Sequence, residues 1–240
     1  MESSVEKLDW SNWKRVLVVV AHPDDAEYGL SAAVHHWTNA GVEVSYLLLT
    51  NGQAGMQRPP EEAGRVRAEE QRHACEAVGV SDLMLLNHPD GHLVYGLDLR
   101  RDIARRIRRL RPDAVITTNF DLEAPWGLNQ ADHRAAGLAA VDAVRDAGNR
   151  WVFREQIEQE GLETWHVGHI LVAGHGAPTH GTAVGQADRD AAVASLECHT
   201  EYLADLPDHP APADFLPEIL AADGALLGAD FGVTFRVYAN

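Results

Sequence analysis

His22, Asp24 and Asp25 fall within four residues of one another in Val18-Val19-Val20-Ala21-His22-Pro23-Asp24-Asp25-Ala26-Glu27-Tyr28-Gly29. An imidazole and two carboxylates at that spacing outline a metal site. Zinc accepts both donor types, and a catalytic zinc needs only three protein ligands, with the fourth position left to water. Residues at the end of a strand alternate sides, but a sharp turn lets His22 and Asp25 converge on a metal while Asp24 faces the bound water. The metal lowers that water's pKa, and a nearby carboxylate takes its proton as it attacks a carbonyl. Two aspartates can also cap a helix N-terminus, yet a cap requires neither the histidine nor both acids. A third ligand should come from the carboxyl end of another strand. Asn129-Gln130-Ala131-Asp132-His133-Arg134 offers His133 for that place, with Asp132 beside it to support a ligand from behind.

These residues need rigid mounts. The apolar run from Arg15 to Ala21 reads as a strand buried on both faces, as parallel sheets require. A helix follows from about Ala26 to Ala40 and stops at Gly41. Further strands are expected at Glu43 to Thr50, Asp82 to Asn87, Ala114 to Thr118, Gly168 to Ala173 and Phe231 to Tyr238. Helices are expected at Glu61 to Val78, Leu97 to Arg111, Ala131 to Ala147 and about Val184 to Leu206. Between them lie a flexible Asn51-Gly52-Gln53-Ala54-Gly55 loop, a glycine- and histidine-rich loop from Gly174 to Gly185, and a proline-rich segment from Pro207 to Pro217. Strand–helix alternation predicts an α/β fold: a Rossmann-like, mostly parallel β-sheet with helices on both faces. Its ligand crevice would lie at the strands' carboxyl edge, where both candidate clusters fall. The chain reads as one domain over 1–240, with an N-terminal arm at 1–12 and a C-terminal segment and final strand at 207–240. The Leu97–Arg111 helix carries seven arginines. Its apolar stripe of Leu99, Ile103, Ile107 and Leu110 leaves them mostly outward, paired with acids such as Asp102 four residues before Arg106.

Composition narrows the function. The 240 residues are 45% hydrophobic and 23% charged, with a formal net charge of −16. Nucleic acid is excluded as a partner by that sign, since phosphate binding needs a basic surface. Neither a membrane span nor a signal peptide is legible, so the expectation is a cytoplasmic protein without a membrane partner. Two cysteines, Cys75 and Cys198, are expected on helices as free buried thiols. No Gly-x-Gly-x-x-Gly follows the first strand, which argues against a nucleotide.

Ala21 to Gly29 resembles the signature of the LmbE-like, or PIG-L, family of zinc-dependent N-deacetylases. The likeness continues through Asn51-Gly52-Gln53-Ala54-Gly55, Arg67-Ala68-Glu69-Glu70, Pro89-Asp90-Gly91 and Asp132-His133. It implies an LmbE-like fold and Zn2+ as cofactor. It also implies a small-molecule substrate, an N-acylated amino sugar or glucosamine-containing metabolite that loses its acyl group, most often acetyl. By the same resemblance His22, Asp25 and His133 would be the zinc ligands and Asp24 the general base, and Asp90 would contact sugar hydroxyls. One position departs from the pattern. The family's His-Pro-Asp-His is Gln130-Ala131-Asp132-His133 here, so the place of the histidine that steadies the oxyanion and assists the leaving amine is taken by Gln130. An amide can donate a hydrogen bond to an oxyanion but cannot shuttle a proton. His199, expected to face inward from the last long helix, is the candidate for that proton. Arg67 is a candidate carbohydrate or carboxylate binder, with an ion pair to a glutamate as the alternative. His166, His169, His175 and His180 surround the glycine-rich loop without assignment. Two other functions stay open: an amidase acting on a thiol conjugate or acylated antibiotic intermediate, and a non-catalytic binding protein of this fold. A homo-oligomer is also open, since family members often assemble into closed rings.

Overall fold

The computed structural model describes residues 5–240; Met1 to Ser4, the start of the expected arm, lie outside the described residues. A two-residue strand, β1 (Glu6–Lys7), precedes the central strand β2 (Arg15–Val20). Side-chain alternation along β2 splits the core in two. Val16, Val18 and Val20 pack on one face with Trp37 and Phe235, whereas Leu17, Val19 and Ala21 pack on the other with Ile103, Ile107 and Val144. Each fully buried valine or leucine contributes roughly 1.5–3 kcal/mol, so the strand that carries the His22 cluster is firmly anchored.

Helix α1 (Ser31–Asn39), β3 (Glu43–Leu48), α2 (Pro60–Ala77), β4 (Asp82–Leu85), α3 (Leu97–Leu110) and β5 (Ala114–Thr118) follow in order. A small antiparallel ribbon, β6 (Glu123–Ala124) and β7 (Gly127–Leu128), leads into α4 (Ala131–Gly148) and the short α5 (Arg154–Glu158). Then come β8 (His169–Ala173), β9 (His180–Val184), α6 (Gln186–Glu197), α7 (Thr200–Ala204), α8 (Pro212–Leu227) and β10 (Phe231–Ala239). The eight-stranded sheet runs β1-β9-β10-β8-β5-β2-β3-β4. Only β10 runs antiparallel to its neighbours β8 and β9; the remaining pairs are parallel, which is the mostly parallel α/β sheet expected. In register, Val16 faces Val44 on one side and Ala114 on the other. The chain steps from β2 outward to β3 on one side, and β5 lies on the other. Their carboxyl ends therefore flank a topological switch point.

Four local expectations differ from the structure. Helix α1 starts at Ser31 rather than near Ala26, because residues 21–30 fold back in tight turns, with the Glu27 N–H bonded to the Asp24 carbonyl and those of Leu30 and Ser31 both bonded to the Ala26 carbonyl. The expected long helix from Val184 to Leu206 is two helices, α6 and α7, broken at Cys198 and His199, and the end of the expected Gly174–Gly185 loop is β9. His180 to Val184 pairs with β10 instead, and that ladder satisfies its backbone. The proline-rich segment opens α8: Pro212 sits in the first turn, where no N–H is needed, and Leu216 and Leu220 supply the buried face that a Pro217 count obscures. Finally, the arginines of α3 are not all outward. Arg106 is buried against Asp82 at 2.6 Å, while the Asp102 expected to pair with it binds Arg105 at 2.7 Å. Arg108 is fully buried and donates to the carbonyls of Asp146, Ala147, Asn149, Val152 and Phe153, satisfying the open end of α4. Cys75 is buried on α2 and Cys198 half-buried after α6, and both are free thiols. No helix among the described residues is long and apolar enough to cross a membrane.

Candidate metal centre

Asp25 is the hinge of the cluster. Its Oδ2 accepts the N–H groups of Ala21 (3.0 Å) and His22 (2.9 Å), curling the chain back on the end of β2. That leaves Oδ1 facing inward, 3.0 Å from His133 Nε2 and 3.6 Å from His22 Nδ1. Only Asn129 and Gln130 separate β7 from α4, whose first turn brings His133 to the same point. His133 Nδ1 lies 2.9 Å from Asn129 Oδ1. An N–H placed there leaves the Nε2 lone pair turned toward Asp25. On the far side of the His22 ring, Nε2 lies 3.0 Å from Asp90 Oδ1 and 3.3 Å from Asp132 Oδ2. Two carboxylates hold that nitrogen protonated, which frees Nδ1 as a ligand. The ligating atoms available from His22, Asp25 and His133 all lie within 4.8 Å of one another. Two imidazole nitrogens and a carboxylate oxygen, each held from behind, form a donor set that fits zinc with a position left open.

The two supporting carboxylates are themselves held by backbone. Asp132 accepts the N–H groups of Gly91 (2.7 Å) and Leu93 (3.1 Å), and Asp90 Oδ2 accepts that of Ala54 (2.6 Å). Both are buried. Asp132, expected to support a ligand from behind, touches His22. Asp90, expected near sugar hydroxyls, has both oxygens engaged within the protein.

Electrostatics follow from this crowding. Burial opposes charge on His22, but Asp25, Asp132 and Asp90 outweigh it and push the metal-free imidazole up to about 12. Burial likewise works to raise Asp25, but His133 and His22 hold its carboxyl far below the usual carboxylate range. Binding a metal therefore displaces imidazole protons, and uptake should release them.

Asp24 points elsewhere. Its carboxylate meets the Arg67 guanidinium at 3.0 Å, so the ion pair foreseen for Arg67 is made with this aspartate and not with a glutamate. Burial raises the Asp24 carboxyl above its ordinary value, Arg67 opposes the rise, and Asp25 adds to it. Arg67 is 3% exposed, bonds the Pro23 carbonyl, and stacks 3.9 Å from the centre of the Tyr202 ring. The loop after β3 makes room for it. A Cβ on Gly52, itself at φ +66°, would come within 2.5 Å of Arg67 Nη1, and one on Gly55 closer still.

Gln130 is exposed at the N-cap of α4 and makes no capping hydrogen bond with its side chain. His199 is fully buried, its Nε2 3.9 Å from Glu27 Oε2, and both ring nitrogens lack a hydrogen-bond partner among the described residues. Burial, with Arg67, pushes its imidazole down to about 3, so it stays neutral. In this arrangement direct contact with a substrate is closed to it. Of the other histidines, His169 packs against Trp13 and His166 reaches the Asn240 carbonyl. His175 and His180 approach Asp121 and Glu6. None joins the cluster at His22.

Four contributors escaped the sequence reading: Asn129, Gln71, Glu27 and Tyr202. Asn129 precedes His133 by four residues and Gln71 follows Arg67 by four, so helical spacing alone could have proposed each pair. Tyr202, whose ring lies against the Arg67 guanidinium, comes from α7, and nothing local to either residue signals that meeting.

Residues 17–144, more than half of the chain, match the profile of the family described as PIG-L: GlcNAc-PI de-N-acetylase. A diacetylchitobiose deacetylase from Thermococcus kodakarensis is 34% identical over 140 residues, covering 56% of this chain and 51% of that protein. The chain spans about half the length of the curated relatives it matches. Among solved structures, the N,N'-diacetylchitobiose deacetylase of Pyrococcus horikoshii superposes with a TM-score of 0.84 at 22% identity, over 96% of this chain and 85% of the other. GalB, the 4-carboxy-2-hydroxymuconate hydratase of Pseudomonas putida, superposes with a TM-score of 0.76 at 16% identity, over 95% and 97%. At those identities both establish the fold alone, and the two chemistries on one scaffold mean that the reaction must be argued from the site.

Proposed function

The chain belongs to the PIG-L family, and from that premise we propose that it is a zinc-dependent amide hydrolase that removes an N-acetyl group from an N-acetylglucosamine-containing small molecule. The observation that carries the reading is the convergence of His22, Asp25 and His133 on one point, with the buried, Arg67-paired Asp24 on the same turn. His22, through Nδ1, Asp25, through Oδ1, and His133, through Nε2, would hold the metal. A bound zinc supplies a Lewis acid for the amide carbonyl and lowers the pKa of a water. Asp24 takes that water's proton as attack proceeds and returns it to the amine nitrogen as the C–N bond breaks; desolvation makes its carboxylate a better base than an exposed one. Arg67 keeps Asp24 ionised and fixed, and the side-chain amide of Gln130, at the N-cap of α4, would donate to the oxygen on which charge develops. Asp90 and Asp132 orient His22 from behind.

The substrate class is supported by the family description and by the saccharide named for the Thermococcus relative. The test is acetate release from N,N'-diacetylchitobiose and simpler N-acetylglucosamine derivatives, with chelated and zinc-reloaded protein. Acetate and a new primary amine should appear in equal amounts with the reloaded protein and vanish on chelation. A metal-replete protein that frees acetate from none of them overturns the reading.

A further inference from the structure

Asp24 stands at φ +87°, a left-handed conformation that costs a non-glycine residue about 1–3 kcal/mol and persists only where the surroundings over-determine it. Three groups do so. Its carbonyl accepts the Glu27 N–H at 2.8 Å, its carboxylate meets Arg67, and its own N–H donates to Gln71 Oε1 at 2.9 Å. Gln71 follows Arg67 by one turn of α2, so both rise from one face of that helix beneath the turn. It is 1% exposed, and its Nε2 donates to Glu27 Oε1 at 3.0 Å. Glu27 is itself without exposed surface.

An amide's oxygen and nitrogen ends are alike in shape, so the partners decide which way it points. Here the Asp24 N–H demands the oxygen on one side and a carboxyl oxygen takes the nitrogen on the other. A flipped Gln71 would set donor against donor and acceptor against acceptor where no solvent reaches, at about 1–3 kcal/mol for each unpaired group. The chain of contacts from Glu27 through Gln71 to Asp24 thus has one sense, and it ends on the one strained residue of the motif.

We propose that Gln71, its amide oriented by Glu27, is a positioning residue that holds the Asp24 backbone in its left-handed turn and so aims the Asp24 carboxylate at the reacting water. What Asp24 does rests on the amide-hydrolase reading above; the grip of Gln71 on the Asp24 N–H does not. Neither Gln71 nor Glu27 reaches a surface from which it could touch substrate.

Gln71→Met retains length and apolar packing and removes both hydrogen-bonding ends. With metal content unchanged, kcat should fall about 10–100-fold, the scale expected when a reacting group is misplaced, while KM stays within about twofold. Amide hydrogen exchange at Asp24, followed by NMR, should quicken at least about tenfold as its protecting bond is lost. Glu27→Gln keeps an acceptor oxygen opposite Nε2 and should retain slow exchange and a kcat within about threefold of the unsubstituted protein. If Gln71→Met does not fold, Gln71→Asn, whose amide falls one methylene short of both partners, is read in the same way. Unchanged exchange at Asp24, or an activity loss that merely tracks lost metal, overturns the proposal. Glu27→Gln as impaired as Gln71→Met overturns the part given to Glu27. If the unsubstituted protein hydrolyses no amide, the hydrolase reading fails by itself and the exchange measurement still decides the role of Gln71.

Discussion

Replacing Asp24 with asparagine should lower kcat by about 10²–10⁴-fold, the usual contribution of a general base, while bound zinc stays near that of the unsubstituted protein. The shape is kept and the metal's donors are untouched, since Asp25 and not Asp24 faces His22 and His133. What disappears is the group that takes the proton. Arg67 is left buried without its anion, so the fold should also lose about 3–5 kcal/mol, read as a lower denaturant midpoint. Kinetics must therefore be measured well below that midpoint and expressed per bound metal. A variant with full zinc and near-full activity would remove Asp24 from the chemistry.

His133→Ala should strip the protein of metal altogether. Three protein donors are the minimum for a catalytic zinc, and even partners that only orient a ligand are worth about 10–100-fold in affinity. Loss of a direct donor should cost more. The variant should purify with little zinc and fail to recover it after dialysis, whereas Asp90→Asn, which meets the proposed ligands only at the back of His22, should keep weakened binding. Elemental analysis of the two side by side checks the order. Equal zinc in His133→Ala and the unsubstituted protein would put the metal elsewhere.

The parts of this account that were legible in the sequence share a physical cause: each is written in neighbouring residues. A continuous apolar run forces a strand that must be covered on both sides, so β2, β3 and β5 and the edge they end on could be read directly. His22, Asp24 and Asp25 lie together because one turn carries them. What could not be read was set by packing between distant segments. The resemblance gives Asp90 to sugar hydroxyls, yet α4 brings Asp132 beside it and the β2 turn brings His22 against it. Arg67 had an acid to find, and only the fold chose Asp24 over the glutamates beside it. His199 carried the right chemistry, but the break between α6 and α7 turns it into the core. In β9 and α8, sheet pairing and a buried leucine face overrode glycine, histidine and proline content that locally reads as loop.

The central claim is that one metal sits among His22, Asp25 and His133, and the His22 ring makes it sharply testable. A second donor group, His22 with Asp90 and Asp132, lies on the opposite edge of the same imidazole. A crystal of the zinc-loaded protein, measured on both sides of the zinc absorption edge, locates the ion without assumption. The account predicts a single anomalous peak within bonding reach, about 2.0–2.2 Å, of His22 Nδ1, Asp25 Oδ1 and His133 Nε2. A peak among His22 Nε2, Asp90 and Asp132, with none beside His133, would contradict it.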